Sequence, residues 1–335
     1  MRRDYTADLK NARAGDVIAL SQLISAVEAR RGLSDGVLAE IYTDGGKARV
    51  VGITGPPGTG KSTLTSALIR ELRARNQSVA VLAVDPSSAL TGGAILGDRL
   101  RMTEHSHDAG VFVRSMSARG ALGGLSRATV DAVAVLDTAG WDTIVVETVG
   151  VGQDEVDIMR VAHSVVVVSV PGLGDDIQAM KAGLLEVADL HVVNKADRPD
   201  ARRTMTELRA MLRLDRVRAG EWRPPVIETI AIDGTGVAEL ADELAKHHAW
   251  LVASGELERR RTATAANRIT TAAKDLLLSR LAHPRAAQLT ATFARQVADH
   301  RLDPHTAAER IIAALDWPRP PAAALDNEQD AEVTL

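Results

Sequence analysis

The sequence predicts an α/β fold in which a mostly parallel central sheet is flanked by helices. Between residues 48 and 253, short apolar segments alternate with segments of helical periodicity. This alternation is typical of β-α-β units and therefore of a parallel sheet. The predicted strands span residues 48–54, 79–84, 111–115, 142–147, 164–170, 189–194 and 226–230.

A glycine-rich octapeptide joins the first predicted strand to a helix, and this is the second observation behind the fold class. It reads Gly-Pro-Pro-Gly-Thr-Gly-Lys-Ser over residues 55–62 and matches the phosphate loop of nucleoside triphosphatases. Backbone N–H groups in such a loop point at phosphate oxygens, the lysine reaches the β- and γ-phosphates, and the serine hydroxyl binds Mg²⁺. The predicted nucleotide-binding residues are Gly55, Pro56, Pro57, Gly58, Thr59, Gly60, Lys61, Ser62 and Thr63. The alternative is a glycine-rich turn that binds no phosphate, which is disfavoured because strand, loop and helix follow in the required order.

The tetrapeptide Asn194-Lys195-Ala196-Asp197 follows the sixth predicted strand and indicates the base. An ionised Asp197 only accepts hydrogen bonds, and guanine offers N1–H and N2–H₂ as paired donors. Adenine would leave the carboxylate unpaired, so GTP and GDP are the predicted nucleotides. We expect Asn194 and Lys195 to brace the loop and cover the base. The motif is weak by itself, and a surface turn is the alternative.

Three acidic residues are candidates for a Mg²⁺ site beside Ser62. Glu147 ends the fourth predicted strand, Asp85 follows the second, and Asp98 lies in the segment after it. In a phosphate-loop protein, an acid at the end of such a strand lies beside Mg²⁺, and the N–H of Gly150 can contact the γ-phosphate. The alternatives are a solvated strand-end Glu147 and turn or helix-capping roles for the two aspartates.

Lys61 and Gln153 are the predicted catalytic residues. Phosphoryl transfer requires mainly that the phosphates are held in position and that their charge is neutralised, and Lys61 supplies both. No glutamine directly follows Gly150, and Gln153 lies three residues further on. The alternative is that the Gln153 amide is solvated and has no catalytic role. Because no glutamine directly follows Gly150, we expect slow intrinsic hydrolysis.

Composition limits the remaining function classes. The chain has 335 residues, a net charge of −4 and no cysteine, so disulfides and cysteine-ligated metals are excluded. The net charge argues against a general nucleic-acid binder. No apolar stretch is long enough to span a membrane, so we expect no membrane partner and a cytoplasmic location.

The chain divides into four predicted parts. Residues 1–47 form a helical amino-terminal extension, residues 48–253 the nucleotide-binding domain, residues 254–317 a helical arm, and residues 318–335 a disordered acidic tail. The leucines of the arm between residues 276 and 281 are too apolar for a lone exposed helix, which favours their burial in a dimer interface.

Four segments are similar to those of the MeaB/ArgK family of methylmalonyl-CoA mutase-associated GTPases. They are Asp85-Pro86-Ser87-Ser88, the stretch from Thr91 to Arg99, Glu147 to Gln153, and Pro171 to Gln178. The likeness covers about residues 10–315 and implies a homodimer. It also implies that methylmalonyl-CoA mutase, or a related acyl-CoA mutase dependent on adenosylcobalamin, is the partner. A GTPase of this family gates cofactor loading and protects the mutase from inactivation.

The resemblance also implies residue roles and three switches. Asp85, Asp98 and Glu147 would form the acidic metal shell, and residues 85–101, 148–157 and 172–184 would be the switches. The third switch carries Ala182 where the family commonly has lysine.

Two other functions stay open at this point. A GTPase that inserts nickel would share the nucleotide-binding motifs, but the sequence has neither a histidine-rich tract nor a cysteine. An ATP-dependent kinase or ATPase linked to amino-acid transport is opposed by the motif that ends at Asp197.

Overall fold

The computed structural model describes residues 5–29, 35–85, 103–117, 127–148, 158–172, 187–213 and 220–315. The chain divides into two compact units, Met1–Thr264 and Ala265–Leu335. Among the described residues, no helix is both long enough and apolar enough to cross a membrane.

A seven-stranded sheet forms the centre of the first unit. The strands are β1 (Arg49–Thr54), β2 (Val79–Asp85), β3 (Val111–Ser117), β4 (Thr143–Thr148), β5 (Ser164–Ser169), β6 (Leu190–Asn194) and β7 (Val226–Thr229). Their order is β3-β2-β4-β1-β5-β6-β7, and every neighbouring pair is parallel. The predicted fold class is confirmed, and each predicted strand lies within two residues of an observed one.

The central strands are buried on both faces because helices cover the sheet from both sides. All six residues of β4 and all six of β5 are buried, as expected for a parallel sheet rich in valine. Strand β1 lies between β4 and β5. The connections that leave β1 and β5 therefore diverge at this point, and ligands of open α/β sheets bind at the carboxyl ends of such strands.

Three apolar clusters of described residues hold the helices on the sheet, and the two larger ones lie on its opposite faces. The helices of the first unit are α1 (Tyr5–Arg13), α2 (Val17–Ala29), α3 (Asp35–Thr43), α4 (Lys61–Ala74), α5 (Arg127–Thr138), α6 (Ala201–Leu212) and α7 (Val237–Ala253). Leu23 of α2 and Leu136 of α5 belong to the cluster on one face of the sheet. Leu68 of α4 and Leu240 of α7 belong to the cluster on the other face. The amino-terminal helices thus share an apolar core with the sheet.

Helix α8 (Glu256–Leu281) runs across the division between the two units, and α9 (Pro284–Ala298) and α10 (Pro304–Ala314) follow it. Both α9 and α10 begin with proline, and their first turns are capped by the side chains of His283 and Asp303. The part of α8 in the second unit exposes five large apolar side chains: Ile269, Leu276, Leu277, Leu278 and Leu281. The predicted acidic tail, residues 318–335, lies outside the described residues.

A buried ion pair ties the start of α8 to the start of β6. The carboxylate of Asp189 accepts hydrogen bonds of 2.9 Å from both terminal nitrogens of Arg260 and lies 3.3 Å from Nε2 of His247. Burial by itself would raise the pKa of Asp189, but the interactions with His247 and Arg260 outweigh it and the pKa is lowered. The carboxylate therefore stays ionised at neutral pH inside the protein.

One buried and one partly buried histidine should make the fold sensitive to mild acid. Burial lowers the pKa of His163 and of His191 to about 4 in each case, although Asp189 opposes the shift at His191. Each imidazole is neutral in the folded protein, and in the unfolded chain it is protonated below its ordinary pKa of about 6.5. The stability that depends on these neutral rings is therefore complete above about pH 6.5 and is lost as the pH falls towards 4.

We predict that His191→Leu makes the free energy of unfolding less dependent on pH between 6.5 and 4. The change removes a titrating group that contributes up to about 3 kcal/mol over this interval. Chemical denaturation at a series of pH values measures the slope. His305→Gln is the control, because the His305 side chain is 87% exposed. An equal slope in the His191→Leu variant and the wild type would contradict the prediction.

Candidate nucleotide-binding site

The loop from Gly55 to Ser62 leaves the carboxyl end of β1 and leads into α4. Two of its glycines are required by close packing. A side chain at Gly55 (φ 139°) would place its Cβ 2.2 Å from the carbonyl oxygen of Val168, and one at Gly60 (φ 89°) would lie 2.6 Å from Nδ2 of Asn194. The loop can therefore lie against β5 and β6 only with glycine at these positions.

Lys61 is the first residue of α4, and its side chain folds back over the loop. Its Nζ donates to the carbonyl oxygens of Gly55 at 2.8 Å and Pro56 at 3.0 Å. The Thr59 hydroxyl also donates to the carbonyl oxygen of Pro56, at 2.9 Å. The loop thus combines a cation with the amino-terminal end of a helix, and both features favour an anion such as phosphate.

The carboxylate of Glu147 is buried beside the first turn of α4. Its Oε1 accepts a hydrogen bond of 2.6 Å from the Ser62 hydroxyl, and its Oε2 accepts one of 2.8 Å from the Thr65 hydroxyl. The two hydroxyls are three residues apart on one helix face, so they reach the two oxygens of one carboxylate. The alternative of a solvated Glu147 is wrong, because the residue is only 2% exposed.

This pair of oxygen donors suits a hard divalent cation. Mg²⁺ prefers carboxylate and hydroxyl oxygens, and Ser62 and Glu147 present both in contact with each other. Strand β2 ends beside β4, so the backbone of Asp85 lies at the same sheet edge. Its side chain and the whole of Asp98 fall outside the described residues. In the described part of the chain, no group of three or more histidines, aspartates or glutamates forms a metal cluster.

Asn194 connects the tetrapeptide at the end of β6 to the phosphate loop. Its Nδ2 donates to the carbonyl oxygen of Thr59 at 2.9 Å. Its Oδ1 accepts from the Thr229 hydroxyl and from the backbone N–H of Ala231, each at 3.1 Å. The amide is buried, so these three bonds replace those that water would make.

The rest of the tetrapeptide lies next to this junction. The Nζ of Lys195 donates to the carbonyl oxygen of Gly58 at 2.8 Å, which puts its alkyl chain beside the loop. Lys195 has a φ of 57°, in the left-handed region, which turns the chain at the end of β6. Asp197 is exposed at the same edge of the sheet, as a carboxylate that meets a ligand must be.

Three described residues belong to this site but do not appear among the predicted ones. Thr65 bonds Glu147, while Thr229 and Ala231 bond Asn194. The turn Gly234-Thr235-Gly236 after β7 could have indicated a loop built for close approach, since a Cβ on Gly236 would lie 1.9 Å from the carbonyl oxygen of Glu228. Thr65 leaves no such signal, because a threonine inside a helix is common.

The segment after residue 102 is attached to α4 by polar contacts. The Ser66 hydroxyl contacts Glu104 and lies 2.8 Å from Nε2 of His105, and Arg70 pairs with Glu104 at 2.7 Å. The hydrogen bond from Ser66, followed by the charge of Arg70, lowers the pKa of Glu104. The chain that follows the first predicted switch is therefore fixed to the same helix that carries Lys61.

Several predicted site residues cannot be placed. Gly150 and Gln153 lie outside the described residues, as do all but the first residue of each predicted switch, 85–101, 148–157 and 172–184. Their roles stay predictions.

Comparison with known proteins gives a family. The model of the methylmalonyl-CoA mutase-associated GTPase MeaB family matches residues 20–286. A protein of Pyrococcus abyssi named as a GTPase is 46% identical over 306 residues, which are 91% of this chain and 94% of that protein. A protein named probable GTPase from Mycobacterium tuberculosis is 40% identical and spans 90% of this chain and 92% of its own length.

Two further proteins are similar over much of the chain. The mitochondrial methylmalonic aciduria type A homolog of Mus musculus is 36% identical over 79% of this chain and 65% of its own length. The crystal structure of an LAO/AO transport system kinase superposes with a TM-score of 0.69 and 26% identity, covering 93% of this chain and 98% of that one.

We predict that Thr65→Val destabilises the protein by about 1–3 kcal/mol, because it removes the donor to Oε2 of a buried carboxylate. It should also lower GTP turnover, since Glu147 then loses one of the two bonds that orient it. Chemical denaturation and steady-state hydrolysis measure the two effects. Thr65→Ser keeps the hydroxyl and should stay close to the wild type. Equal losses in both variants would show that methyl packing matters and the hydroxyl does not.

We predict that Asn194→Ala weakens GDP binding by about 10- to 100-fold, which corresponds to about 1.4–3 kcal/mol. The change leaves the carbonyl of Thr59 and the N–H of Ala231 without their partner and releases the loop from β6. Isothermal titration calorimetry with GDP gives the affinity. Asn267→Ala, at an exposed position of α8, is the matched control and should bind like the wild type. Unchanged affinity in Asn194→Ala would show that the amide does not support the site.

Proposed function

The chain belongs to the methylmalonyl-CoA mutase-associated GTPase family and is a GTP hydrolase, and we propose that it acts as the chaperone of an adenosylcobalamin-dependent acyl-CoA mutase. In this role, GTP hydrolysis gates cofactor loading and protects the mutase from inactivation. The observation that carries the nucleotide part of the proposal is the hydrogen bond from Asn194 to the carbonyl oxygen of Thr59, because it joins the predicted base-recognition motif to the predicted phosphate loop.

The phosphate loop would position the triphosphate for attack by water. The backbone N–H groups of the loop and the start of α4 would surround the β-phosphate. Lys61 already lies over the loop, within 3.0 Å of two of its carbonyl oxygens. A move of its ammonium group to the β- and γ-phosphates would offset the charge that develops as the terminal phosphoryl group leaves GDP.

Ser62 and Glu147 would hold Mg²⁺, together with Asp85 and Asp98 from the first predicted switch. When bound, Mg²⁺ would supply charge neutralisation at the β- and γ-phosphate oxygens. The Ser62 hydroxyl would turn one lone pair towards the cation while it still donates to Glu147. Because Glu147 is held by two hydroxyls, it keeps one orientation, which suits a ligand that contacts the metal directly or through a water.

The guanine base would lie between Lys195 and the loop after β7. Asp197 would accept the paired donors of guanine, and Asn194 would keep the tetrapeptide against the phosphate loop. The N–H of Ala196 donates to the carbonyl of Thr229 at 3.1 Å, so the two loops that would meet the base are joined. A base without N1–H and N2–H₂ would leave Asp197 unpaired, and this gives selectivity for GTP over ATP.

The mutase partner is supported by the names of the relatives. The matched family is named for its association with methylmalonyl-CoA mutase, and the mouse relative is named for methylmalonic aciduria. The homodimer is supported by the exposed leucines of α8, which are more apolar than a solvated helix face needs. The cytoplasmic location and the absence of nucleic-acid and membrane partners stay predictions from the sequence.

A single experiment tests the function, its nucleotide and its partner. We predict that purified methylmalonyl-CoA mutase accelerates GTP hydrolysis by about tenfold, or about 1.4 kcal/mol of barrier, and leaves ATP hydrolysis near background. Phosphate release is measured with each nucleotide, with and without the mutase. The acceleration is expected because a partner that orders the switches completes a site whose loop, lysine and acid are already in place.

Lys61→Ala is the control for contaminating phosphatases, since it removes the cation without touching the sheet. Hydrolysis restricted to GTP but unchanged by the mutase would keep the GTPase and overturn this partner. A preference for ATP would overturn the role of Asp197 and favour the kinase or transport function named for the solved structure.

A further inference from the structure

A small cavity lies at the amino-terminal ends of the central strands, away from the phosphate loop. Its volume is about 40 Å³, and its lining includes Arg49 at the start of β1, Thr143 at the start of β4 and Ser164 at the start of β5. Gly55 follows the other end of β1, six residues after Arg49, and six residues of a strand span about 20 Å. The cavity is thus separate from the nucleotide-binding site, and its volume suits a few non-hydrogen atoms.

Basic side chains line this cavity. They are Arg49, Arg75, His163 and His248. Arg75 already pairs with two carboxylates of neighbouring helices. In the described part of the chain, Arg49 has no such acidic partner, and it is exposed. Its charge is therefore available to a ligand that enters from solvent.

Two buried nitrogen atoms near the cavity have no hydrogen-bond partner among the described residues. They are Nδ1 of His248, which lines the cavity, and Nε of Arg261, which lies outside the lining. The other end of the Arg261 guanidinium is fixed, since its Nη2 donates to the carbonyl oxygen of Gly46 at 2.6 Å. A buried polar nitrogen without a hydrogen-bond partner destabilises a fold, so a ligand that bonded such an atom would stabilise the protein.

Most of the charged side chains that act on His163 are basic. Burial is the main reason that its pKa falls to about 4, and the charges of Arg261, His248 and Arg260 lower it further. Asp137 on α5 is the opposing charge, and it already accepts hydrogen bonds from three backbone N–H groups, those of residues 46–48. A carboxylate that is bonded in this way offsets the surrounding cations only in part.

The pKa of His248 on α7 is lowered for similar reasons. Burial lowers its pKa, and so do the charges of Arg49, Arg261 and His247, in that order. Among the described residues, the charged neighbours that shift its pKa are all basic. The imidazoles of His163 and His248 are therefore neutral at pH 7, and a bound anion would favour their protonated forms.

The remaining wall of the cavity is apolar. Leu72 of α4 and Ala241, Leu244 and Ala245 of α7 contribute to it. A cation-rich end beside an apolar wall fits a compact anion, because divalent cations would be repelled by the arginines.

We propose that this cavity binds a small oxyanion, a carboxylate or a phosphate, between Arg49 and His248. Arg49 forms the charged contact with the ligand, and the imidazole of His248 contacts it from another part of the lining. The site is independent of GTP binding, since no residue of the phosphate loop contributes to its lining.

The test uses the full chain saturated with GDP and Mg²⁺, so that the phosphate loop is filled. Inorganic phosphate and propionate are titrated separately at constant ionic strength, with chloride as the reference ion. We expect a saturable rise in melting temperature with at least one oxyanion. The imidazole NMR signals of His163 and His248 should titrate at higher pH with the anion bound. The stronger of the two probes identifies the class of oxyanion.

Variants distinguish this cavity from other anion-binding surfaces. Arg49→Gln and His248→Gln should each weaken binding at least tenfold, and Arg49→Gln should fold normally because the position is exposed. Arg259→Gln is the control, because that side chain is 72% exposed and pairs with Glu256. The proposal is overturned if both oxyanions act like chloride, or if the rise in melting temperature is the same in Arg49→Gln as in the wild type.

Discussion

The buried side-chain amide of Asn194 is the interaction on which the nucleotide-binding site depends. Asn194 is the last residue of β6, and it joins the phosphate loop through Thr59 and the end of β7 through Thr229 and Ala231. A buried amide with both ends bonded fixes the distances between the segments it joins, since any shift would leave a polar group unpaired. Gly60 has to lack a side chain for the same reason, because a Cβ there would meet the amide.

The carboxylate of Glu147 plays the corresponding part on the other side of the loop. Strands β1 and β4 are paired in register, with Ile53 beside Glu147, so the acid arrives at the level where the loop begins. Helix α4 then supplies two hydroxyls to one carboxylate, from Ser62 and Thr65. The parallel sheet therefore orders the site from both sides: β4 brings the acid, β6 brings the amide, and the loop between them is held at each end.

At the amino-terminal ends of the strands, the polar side chains form different contacts. There the ion pair of Asp189 with Arg260 attaches the start of α8 to β6, the strand whose other end carries Asn194. The first turns of α8 thus belong to the same compact unit as the sheet, even though their sequence reads as part of a helical arm. The small cavity with basic and apolar side chains lies at the start of β1, so the proposed oxyanion site and the phosphate loop are at opposite ends of the same strand.

The sequence by itself determined the class of fold and the chemical identity of the site. Strings of β-branched residues specify buried parallel strands, and the loop from Gly55 to Ser62 and the tetrapeptide from Asn194 carry their chemistry locally, in backbone geometry and in the donors and acceptors of single side chains. Those features need no distant partner to be recognised.

Only the tertiary structure decided which residues hold the site together. Thr65, Thr229 and Ala231 are ordinary residues along the chain, and their bonds to Glu147 and Asn194 join positions that are 35 to 82 residues apart. The lowered pKa values of His163 and His191 were likewise not visible in the sequence, because the loss of contact with water that causes them depends on how distant parts of the chain pack. Strand order and register set these contacts, and a local pattern in a sequence does not specify which strand lies next to which.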